Sequence, residues 1–143
     1  MSLLSCIQSF LETYPGMELR PLGEIMTDLS GASVSSYALA PAGGRVTKDV
    51  TGARDYINTY VFYALEAAAD EADRADNYDF LDSLGAWLEA QEDAGNYPNL
   101  PNGYTARHIE AQAALLADIY QNGSALYQVQ IEITLTKEGG KYA

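Results

Sequence analysis

Tyr127-Gln-Val-Gln-Ile-Glu-Ile-Thr-Leu-Thr-Lys137 alternates without a fault. Tyr127, Val129, Ile131, Ile133 and Leu135 fall on one face, and Gln128, Gln130, Glu132, Thr134 and Thr136 on the other. A period of two marks a half-buried β-strand, and β-branched residues suit its pleated surface. Just upstream, Asn122-Gly123 is a strong hairpin signal, because both residues tolerate positive φ. The strand is therefore expected to fold back on roughly residues 107–121. The rest of the chain then reads as a small sheet centred here, with helices on its inner face.

The segment 106–121 is ambiguous by itself. Its Ala and Leu favour helix, and Ile109, Ala113, Leu116 and Tyr120 make a helical stripe. Read as strand, Ile109, Ala111, Ala113, Leu115, Ala117 and Ile119 share a face. The Asn-Gly turn and the faultless strand beyond it favour strand. Residues 54–65 are a further strand with two largely apolar faces. Ile57, Thr59, Val61, Tyr63 and Leu65 lie on one, and Tyr56, Asn58, Tyr60, Phe62 and Ala64 on the other. Such a strand is either central in a sheet or carries a partner on its outer face.

Helices are expected at both ends of the remaining pattern. Leu3, Leu4, Ile7, Phe10 and Leu11 form one stripe, with Ser2 as N-cap and Pro15-Gly16 as the stop. Phe80, Leu81, Leu84, Trp87, Leu88 and Gln91 form a second stripe over 77–95, with Asn77 read as the cap and Gly95 as the C-cap. Residues 17–26 read as a weak edge strand broken by Pro21. Residues 32–39 read as a strand, 41–44 as a loop, and 46–52 as a bend, a short edge strand or an arm. Residues 66–76 are acidic and alanine-rich, a helical turn or an exposed loop. The expectation is one α+β domain over 1–143: a twisted, mostly antiparallel sheet of four to five strands with two main helices packed on one face. Residues 41–52 and 66–77 are its expected mobile loops. Leu81, Leu84, Trp87, Leu88, Val129, Ile131 and Ile133 are its expected core anchors.

The totals narrow the function. With 8 basic and 20 acidic residues the net charge is −12, which opposes binding to nucleic-acid phosphates and to anionic membranes. No apolar run approaches the roughly 20 residues of a membrane span, and no signal-peptide pattern opens the chain. A lone Cys6 leaves no intrachain disulfide and fits a reducing compartment. His108 is the single histidine, with no second histidine or cysteine to complete a zinc or catalytic set. Asp70, Asp73 and Asp76 are spaced by three and lack the glycine of a calcium loop. Asp79, Asp82, Glu89, Glu92 and Asp93 decorate the outer face of one helix. No catalytic, cofactor or metal residues are therefore assigned. The 11 tyrosines point instead to interfaces, where one end of the ring is buried and the other stays wet.

The order of landmarks resembles a known family. They are Leu3-Leu4 and Phe10-Leu11, the aromatic run Tyr60-Val61-Phe62, Phe80-Leu81, and Trp87-Leu88-Glu89-Ala90-Gln91. After these come Gly95-Asn96-Tyr97-Pro98-Asn99-Leu100, Ala106-Arg107-His108-Ile109-Glu110 and Tyr127-Gln128-Val129-Gln130-Ile131. Together they look like the minor capsid or tail terminator (head–tail joining) proteins of phages and prophages of Gram-positive hosts. The stretch 69–74 is a departure from that pattern. The resemblance implies a hexameric ring of this chain, with no cofactor. The ring binds the end of the tail tube protein and presents a surface to the head–tail connector protein, in the host cytoplasm during assembly and then in the virion neck. It also implies that 106–121 is strand. A ring needs a head-to-tail interface that closes. Tyr56, Tyr60 and Phe62, with the basic residues Arg45, Lys48 and Arg54, are expected on that interface. A head completion or connector protein and a small soluble ligand-binding domain are the alternatives.

Overall fold

The computed structural model describes residues 2–27, 36–48, 50, 52, 54–68, 70–101, 103–120 and 123–137. The elements run α1 (Leu3–Leu11), α2 (Leu22–Thr27), β1 (Ser36–Lys48), β2 (Arg54–Ala67), α3 (Glu71–Ala94), β3 (Tyr104–Ala111), β4 (Leu115–Ile119) and β5 (Ser124–Lys137). The strands form one open antiparallel sheet in the order β1-β2-β5-β3, with β4 also paired to β5.

The alternating stretch is the centre of that sheet. Along one edge β5 pairs with β2 from Ser124 to Lys137. Along the other it pairs with β4 at its start and β3 at its end. Tyr127, Val129, Ile131, Ile133 and Leu135 are all buried, as the period of two requires. The segment read as strand over 106–121 is strand in two pieces, β3 up to Ala111 and β4 from Leu115 to Ile119, which share one edge of β5 and are parted at 112–114; Gln121 lies outside the described residues. Tyr120 N–H donates to the Ser124 carbonyl across the β4–β5 turn; Asn122 itself lies outside the described residues, as do residues 28–35 at the start of the strand read over 32–39.

Register decides which face of β2 is internal. Tyr60 lies opposite Ile131, and Phe62 opposite Val129. Paired residues share a face, so Tyr60 and Phe62 join the core with Ile7 and Leu11 of α1 and Leu81, Leu84 and Leu88 of α3. Phe10 and Tyr14 meet Trp87 at 5.4 Å and 5.3 Å between ring centroids, and Trp87 remains half-buried on that seam. Tyr37 stacks on both Phe62 and Phe80. The reverse face is also covered at one corner, where Ser36, Ala38, Leu65 and Leu126 are buried. α2 packs against β1.

Four expectations need correction. Residues 41–44 are not a loop: they lie within β1, whose pairing with β2 shifts between Pro41 and Gly44. An edge strand tolerates proline there, and a bulge absorbs the glycines. A Cβ on Gly44 would meet Asn58 Oδ1 at 2.8 Å and the Ile57 carbonyl at 2.9 Å, so the close pairing needs glycine. Residues 17–26 are not a strand beyond a single bridge from Leu19 to Tyr37. Pro21 instead precedes α2, and its carbonyl accepts from Glu24 and Ile25 N–H, a helix-start position that suits proline. Residues 71–77 belong to α3, which begins seven residues earlier than Asn77 implies, with Asp70 as the N-cap accepting from Asp73 N–H. Asn77 is a buried interior residue whose amide donates to the Ala67 carbonyl (2.8 Å) and the Tyr127 hydroxyl (3.2 Å). At the other end Gly95 closes α3 with φ 72°, as the sequence predicts.

Candidate assembly surfaces

An open sheet leaves two edges, and each presents backbone donors and acceptors to whatever approaches. The first edge is the outer half of β1. Every residue from Pro41 to Lys48 is exposed, and the β1–β2 arm carries Arg45, Lys48 and Arg54 at its far end. No described strand pairs with the outer edge of this half. The Leu19 bridge reaches only Tyr37, nearer the core.

The second edge is divided. Its β4 half is exposed throughout. Leu115 is 65% exposed, Leu116 42% and Ile119 61%. Leu116 and Ile119 stand on the face of Tyr127 and Ala125, while Leu115 and Asp118 stand on the face of Gln128 and Leu126. Three large apolar side chains over five residues, on both faces of an edge strand, exceed the scattered exposure that needs no explanation. Among the described residues nothing pairs with the outer edge of β4.

The β3 half of that edge is closed by the chain itself. Glu92, on the last turn of α3, accepts from Ile109 N–H, from the Tyr97 hydroxyl at 2.8 Å, and contacts His108 Nδ1 at 3.2 Å. Tyr97 also donates to the Arg107 carbonyl. One carboxylate thus blunts the edge at the donor where another strand would dock. Burial works to raise the Glu92 pKa, but the hydrogen bonds from Ile109 and Tyr97 and the His108 contact together leave it lowered. The same bond, with burial, pushes the Tyr97 phenol up. A lowered carboxylate pKa adds stability that is present above the ordinary carboxylate range and is lost as pH falls through it. Glu92→Gln is therefore expected to destabilise the fold by about 1–2 kcal/mol at neutral pH. In urea titrations the gap to the parent should shrink below about pH 4. A gap that stays constant with pH means that the charge of Glu92 has no part in the clasp.

Beside this clasp lies a groove of about 360 Å³ lined by Gly85, Glu89, Glu92, His108, Ile109, Glu110 and Ala111. His108 Nε2 faces Glu110 at 3.7 Å. Its carboxylates come from one helix and one strand and are open to water. Among the described residues no group of three or more His, Cys, Asp or Glu is placed to hold a metal ion. No helix among them is long and apolar enough to cross a membrane.

The residues expected at an interface separate into two sets. Arg45 and Lys48 are exposed on the arm, and Arg54 is half-exposed opposite Lys48. Tyr60 and Phe62 are not on an outer face: they are 4% and 0% exposed within the core. Tyr56 shares their face and packs edge-on against Tyr104 at 5.7 Å. The outward face of β2 belongs to Ile57, Thr59, Val61 and Tyr63, all half-buried. The β4 patch is absent from the sequence reading. Its signal was available in Leu115, Leu116 and Ile119, which do not keep a period of two. No protein-family model matches the chain, and no curated protein matches it either.

Proposed function

We propose that this chain is a structural virion subunit that forms a ring at the end of a phage tail tube and joins it to the head connector. The observation that carries the assembly part is a pair of sheet edges with no partner strand among the described residues, one on the exposed β1 arm and one on the apolar β4. A subunit with two different sticky edges associates head to tail, and such contacts close into rings when the rotation permits. The phage part rests on the resemblance through Trp87-Leu88-Glu89-Ala90-Gln91 and Gly95-Asn96-Tyr97-Pro98-Asn99-Leu100. In the fold these residues end α3, turn at Gly95 and set Tyr97 on the β3 clasp, a scaffold role that fits a structural protein. With each chain carrying −12, a ring whose lumen is lined by carboxylates repels DNA and lets it slide.

The test is the purified chain alone and mixed with the tail-tube protein encoded beside it, followed by light scattering and negative-stain microscopy. Rings, or tubes capped at limited length, are the expected result. Tubes whose length ignores the chain overturn the terminator reading.

A further inference from the structure

We infer that the outer edge of β1 at Gly44–Lys48 pairs antiparallel with the outer edge of β4 at Leu115–Ile119 in a second copy of this chain, so that the sheets run on from subunit to subunit. The inference deepens the ring reading and rests on it for the biological setting, but its geometry comes from the sheet.

Strand direction is the first observation. Across the sheet β1, β2, β5 and β4 alternate in direction, because every neighbouring pair is antiparallel. With an even number of strands across, β1 of a copy placed by simple rotation beside β4 runs opposite to it. The seam therefore continues both the alternation and the inside–outside sense of the sheet. Val46 lies opposite Tyr56 on the core face, as do Leu116 opposite Tyr127 and Ile119 opposite Ala125, so the seam sets apolar side chains on one side.

The position of the two free edges is the second. Val46 is level with Leu135 of β5 through Tyr56, whereas Asp118 is level with Leu126. The free segments thus sit at diagonal corners, nine residues of β5 apart, about 30 Å along the strands. The other two corners are occupied, by the Leu19 bridge beside Tyr37 and by the Glu92 clasp on Ile109. Each added copy is offset in the same sense. A strand tilt to the ring axis takes up such a constant offset when a sheet closes.

Charge is the third. The arm edge carries Arg45 and Lys48, while β4 carries Asp118 and no basic residue, with Glu110 on the strand before it. Charged residues on an edge discourage indiscriminate pairing. Here opposite signs on the two edges favour arm-to-β4 contact over arm-to-arm contact.

The test uses the full chain as two separately purified variants, Val46→Cys and Leu116→Cys, mixed with a short bismaleimide and read by peptide mass spectrometry. Cys6 is buried and stays out of the reaction. The expected product joins position 46 to position 116, with little 46–46 or 116–116 product. Adding Asp118→Lys, at an exposed position on the same sheet face as Arg45, should cut that product roughly tenfold by placing like charge against Arg45. No 46–116 product at high chain concentration, or a symmetric product in its place, overturns the pairing. Rings seen without the 46–116 link keep the ring reading and sink this seam. The link in open filaments confirms the seam and sinks the closed ring.

Discussion

Replacing Tyr60 by glutamate is expected to leave no folded chain at room temperature. The side chain is buried opposite Ile131 in the same cluster as Phe62 and Val129. Burial already pushes its phenol pKa up, against the opposing hydrogen bond with Asn58, so the site disfavours negative charge. Loss of the ring alone is of the order of 3–5 kcal/mol. A carboxylate must in addition give up its hydration or take a proton. Against a margin of about 5–15 kcal/mol for a domain, the sum is enough to lose the native state. Tyr63→Glu, one face away and half-exposed, should fold. Circular dichroism and a thermal melt of both variants decide it. A folded Tyr60→Glu chain with the parent's melting temperature would mean that β2 faces the other way.

The second large effect is expected at Asn77. Asn77→Leu should lose about 2–3 kcal/mol, because it strands the Ala67 carbonyl and the Tyr127 hydroxyl in a buried place. For a domain of this size that is a fall in melting temperature of roughly 10 °C. The serine variant separates this role from helix capping. At a true N-cap serine replaces asparagine at little loss. At Asn77 a hydroxyl is too short to span both partners, so Asn77→Ser should fall nearly as far as leucine. Full stability of Asn77→Ser would return Asn77 to the helix end.

The fold was legible wherever one face of an element is apolar and the other polar. β5 shows that alternation over its whole length, and α1 its stripe behind Ser2, so both were placed from sequence. β2 was found but its face was not, because Tyr60 and Val61 look equally suited to a core. Only pairing with Ile131 and Val129 separates them, and pairing is a long-range fact. The start of α3 was hidden for a related reason: Glu71 to Asp76 are polar on most sides, so no period reports the first two turns. α2 is too short for a stripe, and Pro21 weighed as a strand breaker when it begins a helix. Of the candidate site, the basic arm residues Arg45 and Lys48 were legible as exposed charge. The β4 patch shows in the sequence only as a break in the period of two at Leu115, Leu116 and Ile119, and an apolar side chain carries no mark of whether its partner belongs to the same chain.

The central strand also follows every other described strand in sequence. During synthesis β1 and β2 emerge early and can join as a hairpin, yet the inner edge of β2, with Tyr60 and Phe62 on one face, has nothing to pair with until β5 leaves the ribosome. That pairing closes a span from Ala67 to Ser124 across the whole of α3, so folding waits on a distant contact and is slow for a chain of this length. In that interval the unsatisfied hairpin is the part of the nascent chain most exposed to aggregation. Once β5 is in place its amides are bonded on both sides, and they should be the last to exchange with solvent.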